Sequence, residues 1–133
     1  MGIWDWGLIP NWAKKEDFKY KIDFTVEERQ QESARILREN PNRMPVICER
    51  APNSTLPEIK KTKYLFPGGM TVNQFHFLIR RNIDLNEASA LYLITPKGIT
   101  LIGDKTMMEV YNNNKDKTEN FLYLYYASEL TRG

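Results

Sequence analysis

Cys48 and His76 are the one cysteine and the one histidine of the 133-residue chain, and together they are the pair a thiol-nucleophile mechanism requires. Cys48, however, lies in the run Met44-Pro45-Val46-Ile47-Cys48-Glu49, where a free cysteine behaves as a small buried hydrophobe. His76 adjoins the core positions of a predicted helix and reads as a boundary residue. One Cys and one His do not fill the four-ligand set of a structural zinc site, so no metal is expected. Glu27, Glu28 and Glu32 cluster on one predicted helix, the pattern of a solvated helical face rather than of a paired acid and base. Gly68-Gly69 lacks the spaced glycines and lysine of a phosphate loop. These residue types point away from an enzyme and call for no cofactor.

Lys60, Lys61 and Lys63 interleave with Tyr64 and Phe66, which is what a single-strand nucleic-acid surface offers. Yet 19 basic and 17 acidic residues leave a net charge of +2, without the basic excess of such binders. An RNA-binding domain is therefore the lesser alternative, and no nucleic-acid partner is expected. A lone cysteine excludes an intramolecular disulfide and suits a reducing compartment such as the cytosol. No apolar run approaches the roughly 20 residues of a spanning helix, and no secretory leader is recognisable. Met1-Gly2 suggests acylation, but Trp6 stands where that motif takes Ser or Thr.

The elements that must position these residues follow from capping and periodicity. Thr25 and Glu28 form a capping box that starts a helix running to about Glu39, where Asn40-Pro41 ends it. Its apolar residues Val26, Ile36 and Leu37 are sparse, as in a surface helix packed along one side. Met44 to Glu49 reads as a strand, and Lys63 to Phe66 as a second. The second is short, charged at its start and stopped by Pro67, which are features of an edge strand. Thr71 and Gln74 make another capping box, with Met70 and Phe75 as a hydrophobic staple, predicting a helix from Val72 to about Asn82. Its Val72, Phe75, Leu78 and Ile79 share one buried face. Ala90 to Ile94 reads as a third strand, and Asp104 as the cap of a short helix carrying Met107, Val110 and Tyr111. Asn112-Asn113-Asn114 reads as a polar turn after it, and Phe121 to Tyr126 as a last strand. This order fits an α+β, ubiquitin-like roll, although periodicity alone leaves a ferredoxin-like arrangement open. Trp4, Trp6 and Trp12, broken by Gly7 and Pro10, mark residues 1–17 as an appended Trp-rich extension, ahead of a domain spanning 18–133.

The ordered succession Asn40-Pro41-Asn42-Arg43-Met44-Pro45-Val46-Ile47-Cys48-Glu49, Lys63-Tyr64-Leu65-Phe66-Pro67, Thr71 through Arg80, Phe121-Leu122-Tyr123 and Gly133 resembles the GABARAP-type family of autophagy ubiquitin-like modifiers. The resemblance covers about residues 18–133 and is weakest from Thr95 to Lys105. It implies a ubiquitin-like β-grasp roll, a four-stranded mixed sheet with helices, preceded by an N-terminal helical extension. It implies two peptide-binding pockets as well. By matching positions, Glu32, Ile36, Pro45, Ile47, Lys63, Leu65 and Phe121 would take a Trp, Phe or Tyr. Tyr64, Phe66, Pro67, Met70, Phe75, Leu78 and Ile79 would take a Leu, Ile or Val. Arg43, Lys61, Lys63 and Arg80 would form a charged rim for acidic flanking residues. An exposed edge strand accepts an extended peptide as an added strand, which agrees with the reading of Lys63 to Phe66.

The same resemblance implies that Gly133 is joined to phosphatidylethanolamine. Implied partners are short hydrophobic motifs of autophagy receptors and adaptors, the activating and conjugating enzymes, a cysteine protease, and membrane through the covalent lipid. The location would be cytoplasmic, and the autophagosome membrane when lipidated. Arg132 departs from the aromatic residue usual before that Gly. A non-conjugated ubiquitin-like peptide-binding adaptor is the alternative. Within the extension, Asp5-Trp6-Gly7-Leu8-Ile9 has the form of the ligand these pockets would bind, centred on Asp5, Trp6 and Ile9. A membrane-touching Trp cluster is the other reading.

Overall fold

The computed structural model describes residues 18–52, 54–86 and 88–128. The expectations attached to Asp5, Trp6, Ile9, Arg132 and Gly133 thus lie outside the described residues. In chain order the elements are α1 (Lys19–Asp23), α2 (Val26–Glu39), β1 (Arg43–Arg50), β2 (Lys63–Pro67), α3 (Val72–Asn82), β3 (Tyr92–Ile94), α4 (Met107–Asn114) and β4 (Leu122–Ala127). Both predicted capping boxes form: Thr25 Oγ1 accepts the Glu28 N–H at 3.1 Å while Glu28 Oε1 accepts that of Thr25 at 2.8 Å. Thr71 and Gln74 exchange the equivalent pair at 3.1 and 2.9 Å.

Three local expectations need correction. The cap of α4 is Thr106, not Asp104: Thr106 and Glu109 make a third reciprocal box, whereas Met107, three residues after Asp104, has no side-chain acceptor to return the bond. Asn112 to Asn114 lie inside α4, because tertiary packing of Met107, Val110 and Tyr111 outweighs the weak helix propensity of Asn. Asn114 Nδ2 also donates to the Val110 carbonyl at 3.0 Å. Ala90 and Leu91 stay outside β3, since its partner β4 ends at Ala127, opposite Tyr92.

The sheet order is β2-β1-β4-β3, with β1 and β4 parallel and both outer pairs antiparallel. Both faces are covered. On one, α3 and α4 pack Val72, Phe75, Ile79, Met107 and Val110 against Met44, Val46, Cys48, Leu122, Leu124 and Tyr126. On the other, Phe18 and α2 residue Ile36 pack on Ile47, Phe121, Tyr123 and Tyr125. A strand covered on both faces reads as a continuous rather than alternating apolar run, and all six residues of β4 are buried. No helix among the described residues is long and apolar enough to cross a membrane.

Helix α2 is held to this sheet largely by polar groups, which explains its sparse apolar pattern. It buries Arg29 and Ser33 beside Ile36. Arg29 Nε and Nη2 donate to the two carboxylate oxygens of Glu119 at 2.9 and 2.8 Å, and the Tyr123 hydroxyl donates to the same carboxylate. Burial favours the protonated acid, but the hydrogen bonds from Arg29 and Tyr123 prevail and hold the Glu119 carboxyl below its ordinary value. As pH falls, the unfolded chain therefore takes up this proton first. The contribution is complete above about pH 5 and is lost as pH drops through the folded-state value. Glu119→Gln should lower stability at pH 7 by about 3–5 kcal/mol, and should flatten the loss of stability below about pH 5 in urea titrations. An unchanged acid slope would remove Glu119 from this role.

Candidate functional site

An antiparallel ladder alternates hydrogen-bonded and non-bonded residue pairs, so one bond fixes the phase of the rest. Cys48 N–H donates to the Thr62 carbonyl at 2.8 Å. With Val46 opposite Tyr64 and Pro45 opposite Leu65, Tyr64 and Phe66 direct their backbone groups to β1, and Lys63, Leu65 and Pro67 direct theirs outward. Pro67 has no N–H to leave unpaired there. The opposite edge of the sheet is covered: the turn after β3 folds back, Leu101 N–H donating to the Leu93 carbonyl at 2.9 Å and Thr100 bridging Ile94. Gly98 supplies its left-handed residue, φ 91°. Among the described residues the edge of β2 is the one left open, as its charged, Pro-ended sequence suggested.

Side chains on β2 alternate between the two faces. On the α2 face, Ile36, Ile47 and Phe121 form a floor buried to within 2% exposure, Leu65 and Tyr20 pack on it, and Pro45 is buried in β1. Above lies a cleft of about 390 Å³ lined by Tyr20, Phe24, Glu28, Gln31, Glu32, Arg35 and Lys63, within the range of small-ligand sites. Lys63 Nζ bridges it to Glu32 Oε2 at 2.8 Å. Hydrogen bonds from Arg35 and then Lys63 bring the Glu32 carboxyl down to about 2. Of the seven residues assigned to the first pocket, Glu32 and Lys63 line the cleft itself, Ile36, Ile47, Leu65 and Phe121 pack together in the cluster on this face, and Pro45 lies opposite Leu65. The structure adds Tyr20 and Phe24, which the sequence reading left out. Their signal was available: two aromatics four residues apart, with Phe24 44% exposed just ahead of the Thr25 cap. The Tyr20 ring lies 5.2 Å from that of Phe121 and 5.9 Å from Lys63 Nζ.

On the α3 face, Tyr64 and Phe66 stack at 5.2 Å and Phe66 meets Phe75 at 4.6 Å. Tyr64, Phe66, Phe75 and Ile79 are all buried in the core, so they form a floor, while Met70 and Leu78 are half-buried and Pro67 is exposed. Of the rim residues, Arg43 Nη1 donates to the outward Leu65 carbonyl at 3.2 Å, and Lys61 Nζ sits 5.1 Å over the Tyr64 ring. Arg80 is committed elsewhere, donating to the carbonyls of Asn86 and Ser89 at 2.7 and 2.8 Å.

The catalytic candidates are placed as structural residues. Burial, and to a lesser degree the nearby Glu49, pushes the Cys48 thiol up, opposite to the direction a nucleophile needs. His76 Nε2 lies 2.7 Å from the Leu91 carbonyl.

The description "Autophagy protein Atg8 ubiquitin like" fits the family model that matches residues 28–133. The chain belongs to the Atg8 family. The resemblance to GABARAP-type modifiers is thereby met at the level of that family. Autophagy-related protein 8D of Oryza sativa subsp. japonica is 42% identical over 118 residues, covering 86% of this chain and 96% of the rice protein. Autophagy-related protein 8 of Kluyveromyces marxianus is 41% identical over 114 residues, covering 86% and 90%. The crystal structure of Trypanosoma brucei ATG8 superposes with a TM-score of 0.78 at 37% identity, over 88% of this chain and 99% of that one. The Atg8 match begins inside α2, so Tyr20 and Phe24 stand ahead of it.

Lys63 and Glu32 are both partly exposed, and an exposed pair contributes only about 0–1 kcal/mol. Lys63→Ala should therefore change the urea-derived stability by less than about 1 kcal/mol. A loss as large as that expected on breaking the buried Arg29–Glu119 pair would make the bridge structural instead.

Proposed function

We propose that this chain is a ubiquitin-like modifier conjugated through Gly133 to phosphatidylethanolamine. It acts in autophagosome formation and recruits cargo receptors by binding Trp/Phe/Tyr-x-x-Leu/Ile/Val motifs. The observation that carries this reading is the open β2 edge with an apolar floor on each of its two faces. An extended peptide laid along it meets the outward backbone groups of Lys63 and Leu65 and adds as a fifth strand. Residues three apart in the peptide reach opposite sides of β2: an aromatic enters the α2 side, and an aliphatic lies among Pro67, Met70 and Leu78. Entry of the aromatic requires Lys63 to release Glu32. An indole N–H, which only donates, then offers the freed carboxylate a replacement bond. Lys63 and Lys61 are left to meet acidic residues flanking the motif, a contact that acts chiefly on association rate and weakens with salt.

The chain contributes no catalytic group to its own conjugation. Its thiol is buried at Cys48, and the nucleophilic cysteines belong to the activating enzyme, the conjugating enzyme and the processing protease. The location is cytoplasmic, moving to the autophagosome membrane once the lipid is attached. The test is intact-mass analysis of the protein recovered from starved cells. A phosphatidylethanolamine adduct on the C-terminal peptide, absent in Gly133→Ala, is expected. Starved cells that yield only unmodified chain would favour the non-conjugated adaptor.

A further inference from the structure

We propose that residues 5–9 of this chain, Asp5-Trp6-Gly7-Leu8-Ile9, occupy the chain's own β2 site as a tethered ligand that external motifs must displace. This rests on the peptide-docking function proposed above. The tether starts beside the site. Phe18, the first described residue, is 1% exposed and stacks on Tyr125 at 4.3 Å. Two residues on, Tyr20 forms a wall of the α2-side cleft with Lys63 and Glu32. Helix α1 is fixed there because Glu49 accepts the Lys19 and Tyr20 N–H groups at 2.8 and 3.1 Å.

Reach is ample. Phe18 packs over β4, two strand spacings from β2, a lateral distance of roughly 10 Å. The eight residues between Ile9 and Phe18 make nine chain steps, which span up to roughly 30 Å when extended. Charge and hydrogen bonding complement one another as well. When Trp6 enters the cleft, its indole N–H takes the place of Lys63 on Glu32, and the carboxylate of Asp5 takes the place of Glu32 on Lys63. Neither member of the opened bridge is left unpaired, and Glu32 keeps its bonds from Arg35 throughout. Ile9, three residues on, falls to the Met70 and Leu78 side. A short flexible tether holds the motif at an effective concentration on the order of millimolar, well above the free concentration of most competing peptides.

The full-length chain and a Trp6→Ala, Ile9→Ala variant, both bearing Gly133, are titrated with an acidic Trp-x-x-Leu peptide by calorimetry at several protein concentrations. The variant should bind roughly tenfold tighter or better, by a ratio independent of protein concentration. Equal affinities overturn self-docking while leaving the peptide site standing. Binding by neither chain refutes the peptide site, and self-docking with it. A ratio that grows with protein concentration assigns the segment to a neighbouring copy and overturns the tethered form. Equal peptide affinities with wild-type-only binding to neutral phosphatidylcholine vesicles make the tryptophans a membrane contact instead.

Discussion

The central parallel pair, β1 on β4, is buried on both faces, and the edge proposed for docking depends on that. A two-sided core consumes nearly every apolar residue of the two inner strands. It leaves the outer strands to settle what each edge exposes. β3 resolves its edge locally, through the 95–101 turn that returns to bond Leu93 and Ile94. β2 has no such cover among the described residues, and its outward positions carry Lys63, Leu65 and Pro67. A flat, fully apolar edge would invite pairing with any other chain; charge and proline restrict that. What is left is short and selective, with distinct side-chain environments above and below.

Two ion pairs that link α2 to the rest of the fold divide the work. Arg29 and Glu119 are buried, bidentate and supported by Tyr123 and by Ser33, whose hydroxyl donates to the Glu119 carbonyl. Removing one partner strands a charge in the interior. Glu32 and Lys63 are spaced along the same helix at the mouth of a cleft, where water and Arg35 share the load. Little stability is lost when such a pair opens. The helix is thereby anchored at one point and free to exchange partners at another, above the buried apolar floor of Ile36, Ile47 and Phe121.

Much of this was legible from residues. Capping boxes at Thr25 and Thr71 fixed the starts of α2 and α3, because reciprocal side-chain bonds are local and need no tertiary partner. Pro67 and the charge of Lys63 marked β2 as an edge. What could not be read was long-range. The pairing of Arg29 with Glu119 spans 90 positions, so the sequence showed α2 as a surface helix with a sparse apolar side but not the buried polar anchor that holds it. Asp104 and Thr106 are both residue types that cap helices, and the Glu109 return bond selects Thr106. The seven positions proposed for the first pocket came from resemblance; β2 alternation and α2 place them on one face of the sheet, with Glu32 and Lys63 lining the cleft. The resemblance did not name Tyr20 and Phe24, which lie on α1 and at its end. On the second face, resemblance named Tyr64, Phe66, Phe75 and Ile79 without distinguishing a buried floor from an accessible wall. That distinction depends on how deeply α3 seats against β2.

Strand addition at β2 is the claim on which the rest turns, and backbone amide exchange reads it directly. The full chain carrying Trp6→Ala and Ile9→Ala leaves the edge open, and an acidic Trp-x-x-Leu peptide is then added in excess. The amides of Lys63 and Leu65 should gain protection while that of Tyr92 on β3 is unchanged. Saturating peptide that leaves Lys63 and Leu65 exchanging as before, or that protects β3 instead, would contradict the account.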